Sequence, residues 1–461
     1  MKFKILLLIV FVTSLSYSQN IKRRGGLGVG LYNTISDSLY TALKLTSREG
    51  ALVKFVVPQS TASTLKVQTN DLIVSCNDKV IRSTTELILM ARFLSAYDPI
   101  KIKVLRNNKS IELSGKVVGK PLEKNDVQDI TYGEFKYENG YIRTIYKKAK
   151  NKEPLGTVFF IHGISCYSLD NMQANDITKK AFDAMIERGF AVYCIEKLGL
   201  GDSYNGTPCD QIGYDKELDV FRAAYKNLLK MKDIDTTQIF IFGHSLGGIS
   251  APIIAEEFNP KGVVVYGTGL KPWSDYLLDA YLIQSRYYGI DLAELRDSVE
   301  FMKPAFYEYF YKGKSIDELS KNPDYLRALQ MGLGYDPNTK MALAGRTPQF
   351  HRELNTHNLA KSWKNTKSFV LSIYGESDIA ANNSIDHEII AEYVNQNHPN
   401  KATYLMMPKT NHTFQEIGTM EDYIKMQSNP MEYEKYASQH FNTKLFDEVC
   451  NWMKDKLDKK L

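Results

Sequence analysis

Apolar positions change their spacing along the chain. Residues 25–119 carry short apolar runs broken by turns, the pattern of a small β-rich domain. Strands are expected at 50–57, at 71–76 and at 100–105, where apolar and polar residues alternate before Asn107-Asn108 turns the chain into 111–113. Between them Leu87, Met90, Ala91 and Leu94 recur at helical spacing. From about Glu134 onward, continuous apolar runs at 156–161, 190–195, 238–242, 368–375 and 404–408 alternate with helical stretches such as 178–188 and 248–258. Strands that apolar are buried on both faces, so a mostly parallel, doubly wound α/β sheet covered by helices is expected. Between Tyr266 and Trp363 the strand pattern stops, for far longer than an ordinary connection. Trp273, Leu277, Ala280, Tyr281 and Tyr288, then Phe301, Phe306, Tyr309 and Phe310, mark that insertion as helical.

The first residues follow a different pattern. Lys2 and Lys4 precede an apolar run at 5–12, and Ser16-Tyr17-Ser18 has the small-x-small form of a cleavage site. This is the layout of a secretory signal peptide cut after Ser18, which addresses the chain to the periplasm or the exterior. The run is short for crossing ~30 Å of hydrocarbon, so no membrane span is expected after cleavage. No cysteine follows the cut, so lipid attachment there is not expected.

Composition adds exclusions rather than a function. The chain has 461 residues, 43% hydrophobic and 24% charged, which fits folded globular domains. Its formal charge of +5 shows no Lys/Arg cluster, so a nucleic-acid partner is not expected. Five cysteines are too few for a disulfide-built scaffold, and no Cys/His spacing suits zinc, so neither metal nor cofactor is expected.

The chemistry concentrates at Gly243-His244-Ser245-Leu246-Gly247, a G-x-S-x-G that ends one apolar run and opens a helix. A serine on such a sharp strand-to-helix turn holds its hydroxyl out of the sheet, and flanking glycines relieve the crowding. Its activation needs a histidine to take the proton and a carboxylate to fix the histidine tautomer, in the chain order Ser, acid, His. Asp378 follows the run at 368–375, with Glu376 and Asp386 as lesser choices, and His412 follows the run at 404–408. The other histidines fall away. His162 and His244 belong to the turns that frame the serine; His351 and His357 precede the acid; His387 lies in a helical stretch, His398 in a loop and His440 near the last helix. Two oxyanion donors are expected from the backbone N–H groups of Leu246 and Ile164.

Residues ~134–455 resemble the α/β-hydrolase superfamily, and within it secreted bacterial esterase-like hydrolases, on FFIHGISCYSLDNM, IEKLGLGDSYNGTPCD, FIFGHSLGGISAPIIA, VYGTGLKPWSDYLL, LSIYGESD and MMPKTNHTF. The earlier segment resembles a PDZ domain on EGALVKFVVPQSTASTLKVQTNDLIVSCNDKVI and IKIKVLRNNKSIEL, with Gly26, Leu27, Gly28 and Val29 at the carboxylate-binding loop of that family. It departs from the family at 63–71, where Ala-Gly-Leu and Gly-Asp are usual; that change touches a turn rather than the groove. The resemblance implies a PDZ-like domain at 25–120, a linker at 121–133 and a hydrolase domain at 134–461 with a lid insertion near 267–362. In that fold the loops holding Cys166 and Cys209 share one sheet edge, which makes them the candidate disulfide pair, while Cys76, Cys194 and Cys450 sit in apolar patterns as buried thiols.

Together these imply a secreted serine hydrolase of carboxylic esters whose PDZ-like module takes a C-terminal peptide or protein ligand. A peptidase or thioesterase using the same three residues is a second reading, and a peptide-binding scaffold with a vestigial hydrolase domain a third. The aromatic insertion suits an apolar acyl or aryl group, or else serves only to hold the lid together.

Overall fold

The computed structural model describes residues 20–460, so the signal expected at 1–18 lies outside the described residues. The alternating N-terminal segment forms β1 (Val29–Leu31), β2 (Ala51–Val56), β3 (Leu72–Cys76), β4 (Lys79–Val80), β5 (Pro99–Arg106) and β6 (Lys109–Lys116). They form one antiparallel sheet in the order β1-β2-β3-β5-β6, with β4 on β3. The period-two pattern of β5 sends Ile100, Ile102 and Val104 into a core with Leu27, Val53 and Ile73. The helix Thr84–Ala91 starts where Ser83 accepts the Glu86 N–H, and it buries Leu87 in the same core. Among the described residues β1 pairs only with β2, which leaves its other edge unpaired.

A second sheet holds β7 (Gln128–Tyr137), β8 (Gly140–Ala149), β9 (Thr157–Ile161), β10 (Ala191–Ile195), β11 (Ile239–His244), β12 (Gly262–Tyr266), β13 (Phe369–Gly375) and β14 (Ala402–Met407). Their order is β14-β13-β12-β11-β9-β10-β8-β7. Strands β9 to β14 run parallel, and β7 and β8 close the far edge antiparallel. The sheet therefore begins upstream of Glu134. As a half-polar edge strand, β7 lacks the unbroken apolar run of its buried neighbours. In the central strands Phe159, Ile241 and Val263 pack on one side while Phe160, Phe242 and Val264 pack on the other. Two cores explain why these runs are apolar at every position.

Chain order turns around at β9, which lies between β10 and β11. In open α/β sheets the crevice at such a reversal, beyond the strand C-termini, is where ligands bind. The insertion after β12 folds as the helices Trp273–Arg286, Leu292–Phe306, Pro323–Leu333 and Pro348–Leu354. Met302, Phe306, Tyr309 and Phe310 merge with the core of the sheet, whereas Tyr288 is exposed. Among the described residues no helix is long and apolar enough to cross a membrane.

The two domains meet at Asp202, in the loop after β10. Its carboxylate takes the Arg24 N–H at 2.7 Å, the Arg23 guanidinium at 2.9 Å and the Arg143 guanidinium at 2.9 Å. The Arg24 guanidinium stacks over Tyr204 at 4.4 Å and donates to Gly201 O.

Candidate active site

Strand β11 ends in an elbow whose apex, Ser245, has φ 56°, a left-handed conformation that side chains rarely adopt. Its N–H is held by Tyr266 O at 2.9 Å, and the helix Gly247–Phe258 starts directly below it. A Cβ on Gly247 would lie 1.9 Å from Ile161 O, so only glycine lets this helix approach β9.

Asp378 and His412 follow β13 and β14, neighbouring strands, and this brings them together. His412 Nδ1 stands 2.9 Å from both carboxylate oxygens, and Asp378 Oδ1 also accepts the Ala381 N–H at 3.0 Å. Burial pushes the Asp378 carboxyl up, but His412 and Ala381 outweigh it and hold it below the ordinary range. Burial likewise pulls the His412 imidazolium down, yet the charge and hydrogen bond of Asp378 win and hold it above its ordinary value. Gly267, at φ 63°, makes room for this pair, since a Cβ there would sit 2.5 Å from Asp378 Oδ2. The lesser acids brace loops instead. Glu376 accepts the Lys409 N–H and Asp386 the Leu270 N–H, and neither bonds His412.

The His412 loop is fixed by partners that sequence reasoning did not single out. His244 Nε2 lies 2.9 Å from His412 O, and burial pushes the His244 imidazolium down to about 3. Neutral at physiological pH, the ring donates its Nε2–H to that carbonyl. Tyr266 Oη donates to Asn411 O at 2.6 Å.

Ser245 and His412 line one cavity of about 530 Å³. No hydrogen bond joins Ser245 Oγ to His412 among the described residues; in unliganded sites this bond commonly forms only with substrate. Gly163, Ile164, Ser165 and Leu246 also line the cavity, and among the described residues no acceptor takes the N–H of Ile164 or Leu246. Trp273 and Tyr276 stack at 4.7 Å along another wall. Their polar tips are occupied, Trp273 Nε1–H by His351 Nδ1 at 3.0 Å and Tyr276 Oη–H by Ala380 O at 2.7 Å. The insertion aromatics thus divide between both expected roles. Trp273 and Tyr276 line the cavity, while Phe306, Tyr309 and Phe310 hold the insertion onto the core. The Asp, Glu, Lys and Arg residues lining the cavity are Asp176, whose carboxylate caps a helix at Thr178 N and Lys179 N, and Lys271, paired with Asp279.

A second cavity, of about 620 Å³, opens between the domains. One wall holds Gly26, Leu27, Gly28 and Val29 with Leu87 of the Thr84–Ala91 helix; the other holds the Cys166–Cys209 disulfide and the loop around Asp202. Tyr167 lines both cavities. The other cysteines, Cys76, Cys194 and Cys450, are free, buried thiols.

Residues 152–397, more than half of the chain, match the family model of the serine aminopeptidase S33 group, and residues 25–117 match the PDZ domain. The chain belongs to the S33 family of α/β-hydrolases. Its N-terminal domain is a PDZ domain. No curated protein matches this S33 hydrolase. It is similar to Est1E from Butyrivibrio proteoclasticus at 14% identity, over 71% of this chain and 99% of that one, with TM-score 0.40. It is also similar to a thermostable carboxyl esterase from Bacillus coagulans at 17% identity, over 71% and 99% of the two chains, with TM-score 0.42. The acylaminoacyl peptidase of Pyrococcus horikoshii matches at 12% identity over 77% of this chain and 49% of its own, with TM-score 0.41.

Proposed function

We propose that this S33 hydrolase cleaves carboxylic esters through Ser245, His412 and Asp378. The carrying observation is the bond between His412 Nδ1 and the buried Asp378 carboxylate, beside a cavity that Ser245 shares. That bond fixes Nδ1 as the protonated nitrogen and leaves Nε2 free to accept. The Ser245 hydroxyl adds to the ester carbonyl while its proton passes to His412 Nε2. The N–H groups of Ile164 and Leu246 receive the oxyanion. Collapse expels the alcohol, which takes the proton from His412 and leaves an acyl-serine. Water then gives its proton to His412, adds to the acyl carbon, and the acid departs as Ser245 regains its hydrogen.

The apolar wall of Trp273, Tyr276 and Leu343 favours an ester with an apolar acyl or aryl group. Replacing Ser245 by Ala is expected to abolish turnover of p-nitrophenyl esters and labelling by a fluorophosphonate probe; retained turnover defeats the assignment. Asp176 on the cavity wall favours an aminopeptidase as the second reading, because a carboxylate there suits the ammonium of a peptide N-terminus. Aminoacyl p-nitroanilides assayed beside the esters decide between them, and faster anilide cleavage overturns the ester reading.

The PDZ domain is read as the docking site of a peptide C-terminus. Among the described residues the Leu27 and Gly28 N–H groups have no acceptor, and the open edge of β1 can take an added strand. Secretion is read from residues 1–18 and fits a bonded Cys166–Cys209 pair. N-terminal sequencing of exported protein should begin at Gln19.

A further inference from the structure

Behind the turn that follows β9 lies a group of charges that the proposed reaction leaves unexplained. Lys197, Glu217 and Arg346 are all buried, and they come from the end of β10, the helix Tyr214–Leu228 and the insertion. Lys197 Nζ pairs with Glu217 Oε1 at 2.8 Å, and Arg346 Nη2 pairs with Glu217 Oε2 at 2.8 Å. Each cation also reaches a backbone carbonyl of the oxyanion turn. Lys197 Nζ donates to Gly163 O at 2.6 Å, and Arg346 Nη1 to Ile164 O at 2.9 Å.

Peptide units are planar, and among the described residues none is cis. In a trans unit the C=O and N–H point in opposite directions. Holding Gly163 O from behind therefore aims the Ile164 N–H the other way, and holding Ile164 O does the same for the Ser165 N–H. Gly163, Ile164 and Ser165 all line the cavity that contains Ser245. We infer that Lys197 and Arg346 are positioning residues of the oxyanion hole, gripping two consecutive peptide units of the turn on either side of Ile164 and so fixing the Ile164 N–H that meets the developing charge.

The inference rests on the proposed serine chemistry and adds two physical effects to it. A cation on a carbonyl polarises the amide and makes its N–H a stronger donor. Two cations against one carboxylate also leave net positive charge behind the turn, in a dry region where its field carries far. The neighbouring His162 feels that field: burial, then Lys197, His244 and Arg346, hold its imidazolium well below the ordinary value. Burial pushes the Lys197 ammonium down only to about 8, so it remains charged at neutral pH.

The test is Lys197→Met, which keeps the stem, removes the grip on Gly163 O and leaves Glu217 paired with Arg346. Shedding a buried ammonium relieves a desolvation cost, so this variant is expected to fold. Arg346→Lys is the second variant, keeping the charge but lacking the fork that spans Ile164 O and Glu217. Ester kcat should fall about 10- to 100-fold in each, with KM within about twofold. Affinity for an arylboronic acid, whose tetrahedral serine adduct places an oxygen in the hole, should fall by the same factor as kcat. Loss of thermal stability with kcat and boronate affinity intact would mean a structural role only and overturn the inference. A wild-type enzyme that neither turns over ester nor binds boronate overturns the serine reading and this inference with it.

Discussion

At the scale of single residues, the site depends on which atom holds a proton. His412 accepts only when neutral, and Asp378 raises its pKa above the ordinary 6.5. Activity through the proposed triad is therefore expected to be complete at alkaline pH and to be lost as pH falls through a value above 6.5. A kcat/KM profile is expected to show its acid limb there, and a limb below 6.5 would contradict the pairing. Asp378→Asn removes the charge that raises the value, leaving burial to lower it. The limb should then move below 6.5, with kcat reduced about 10³- to 10⁴-fold because the tautomer is no longer fixed.

At the scale of elements, the Cys166–Cys209 bond closes a loop across a sequence separation of 43. The double variant Cys166→Ser/Cys209→Ser is expected to lose about 2–4 kcal/mol in denaturant unfolding under oxidising conditions. Equal stability with and without the bond would leave it no structural role. How much of this was readable beforehand depended on distance along the chain. Ser245, Asp378 and His412 each sit just past an apolar strand, so local pattern plus chain order sufficed to name them as candidates. Strand β7 escaped because its polar, half-exposed residues resemble a linker. Lys197, Glu217 and Arg346 escaped for a deeper reason. A charged residue in a sequence ordinarily means solvent, and only the packing of three separate elements turns these inward. His244 was visible as part of the elbow, but its bond to the His412 carbonyl exists only after β11 and β14 lie in one sheet.

At the scale of the molecule, the buried Asp202 joins the PDZ domain to the hydrolase through two bonds, to the Arg24 N–H and the Arg23 guanidinium, and is itself held within the hydrolase by Arg143. Asp202→Ala takes one buried carboxylate partner from Arg143 and from Arg23, which keeps its pair with Asp170, and should cost about 3–5 kcal/mol. Limited proteolysis is expected to cut sooner between 120 and 127 in this variant; an unchanged cleavage rate would mean that other contacts hold the domains.

The order in which these groups occur along the chain has its own consequence. Ser245 is synthesised before Arg346, Asp378 and His412. At roughly 5–20 residues per second, a ribosome needs on the order of 10 s to travel from the first to the last. Throughout that interval the growing polypeptide carries Ser245 without the base and the acid proposed to activate it. On the proposed chemistry, hydrolytic power arrives only with the final part of translation, so an unfinished product would leave the esters of the cell that makes it untouched.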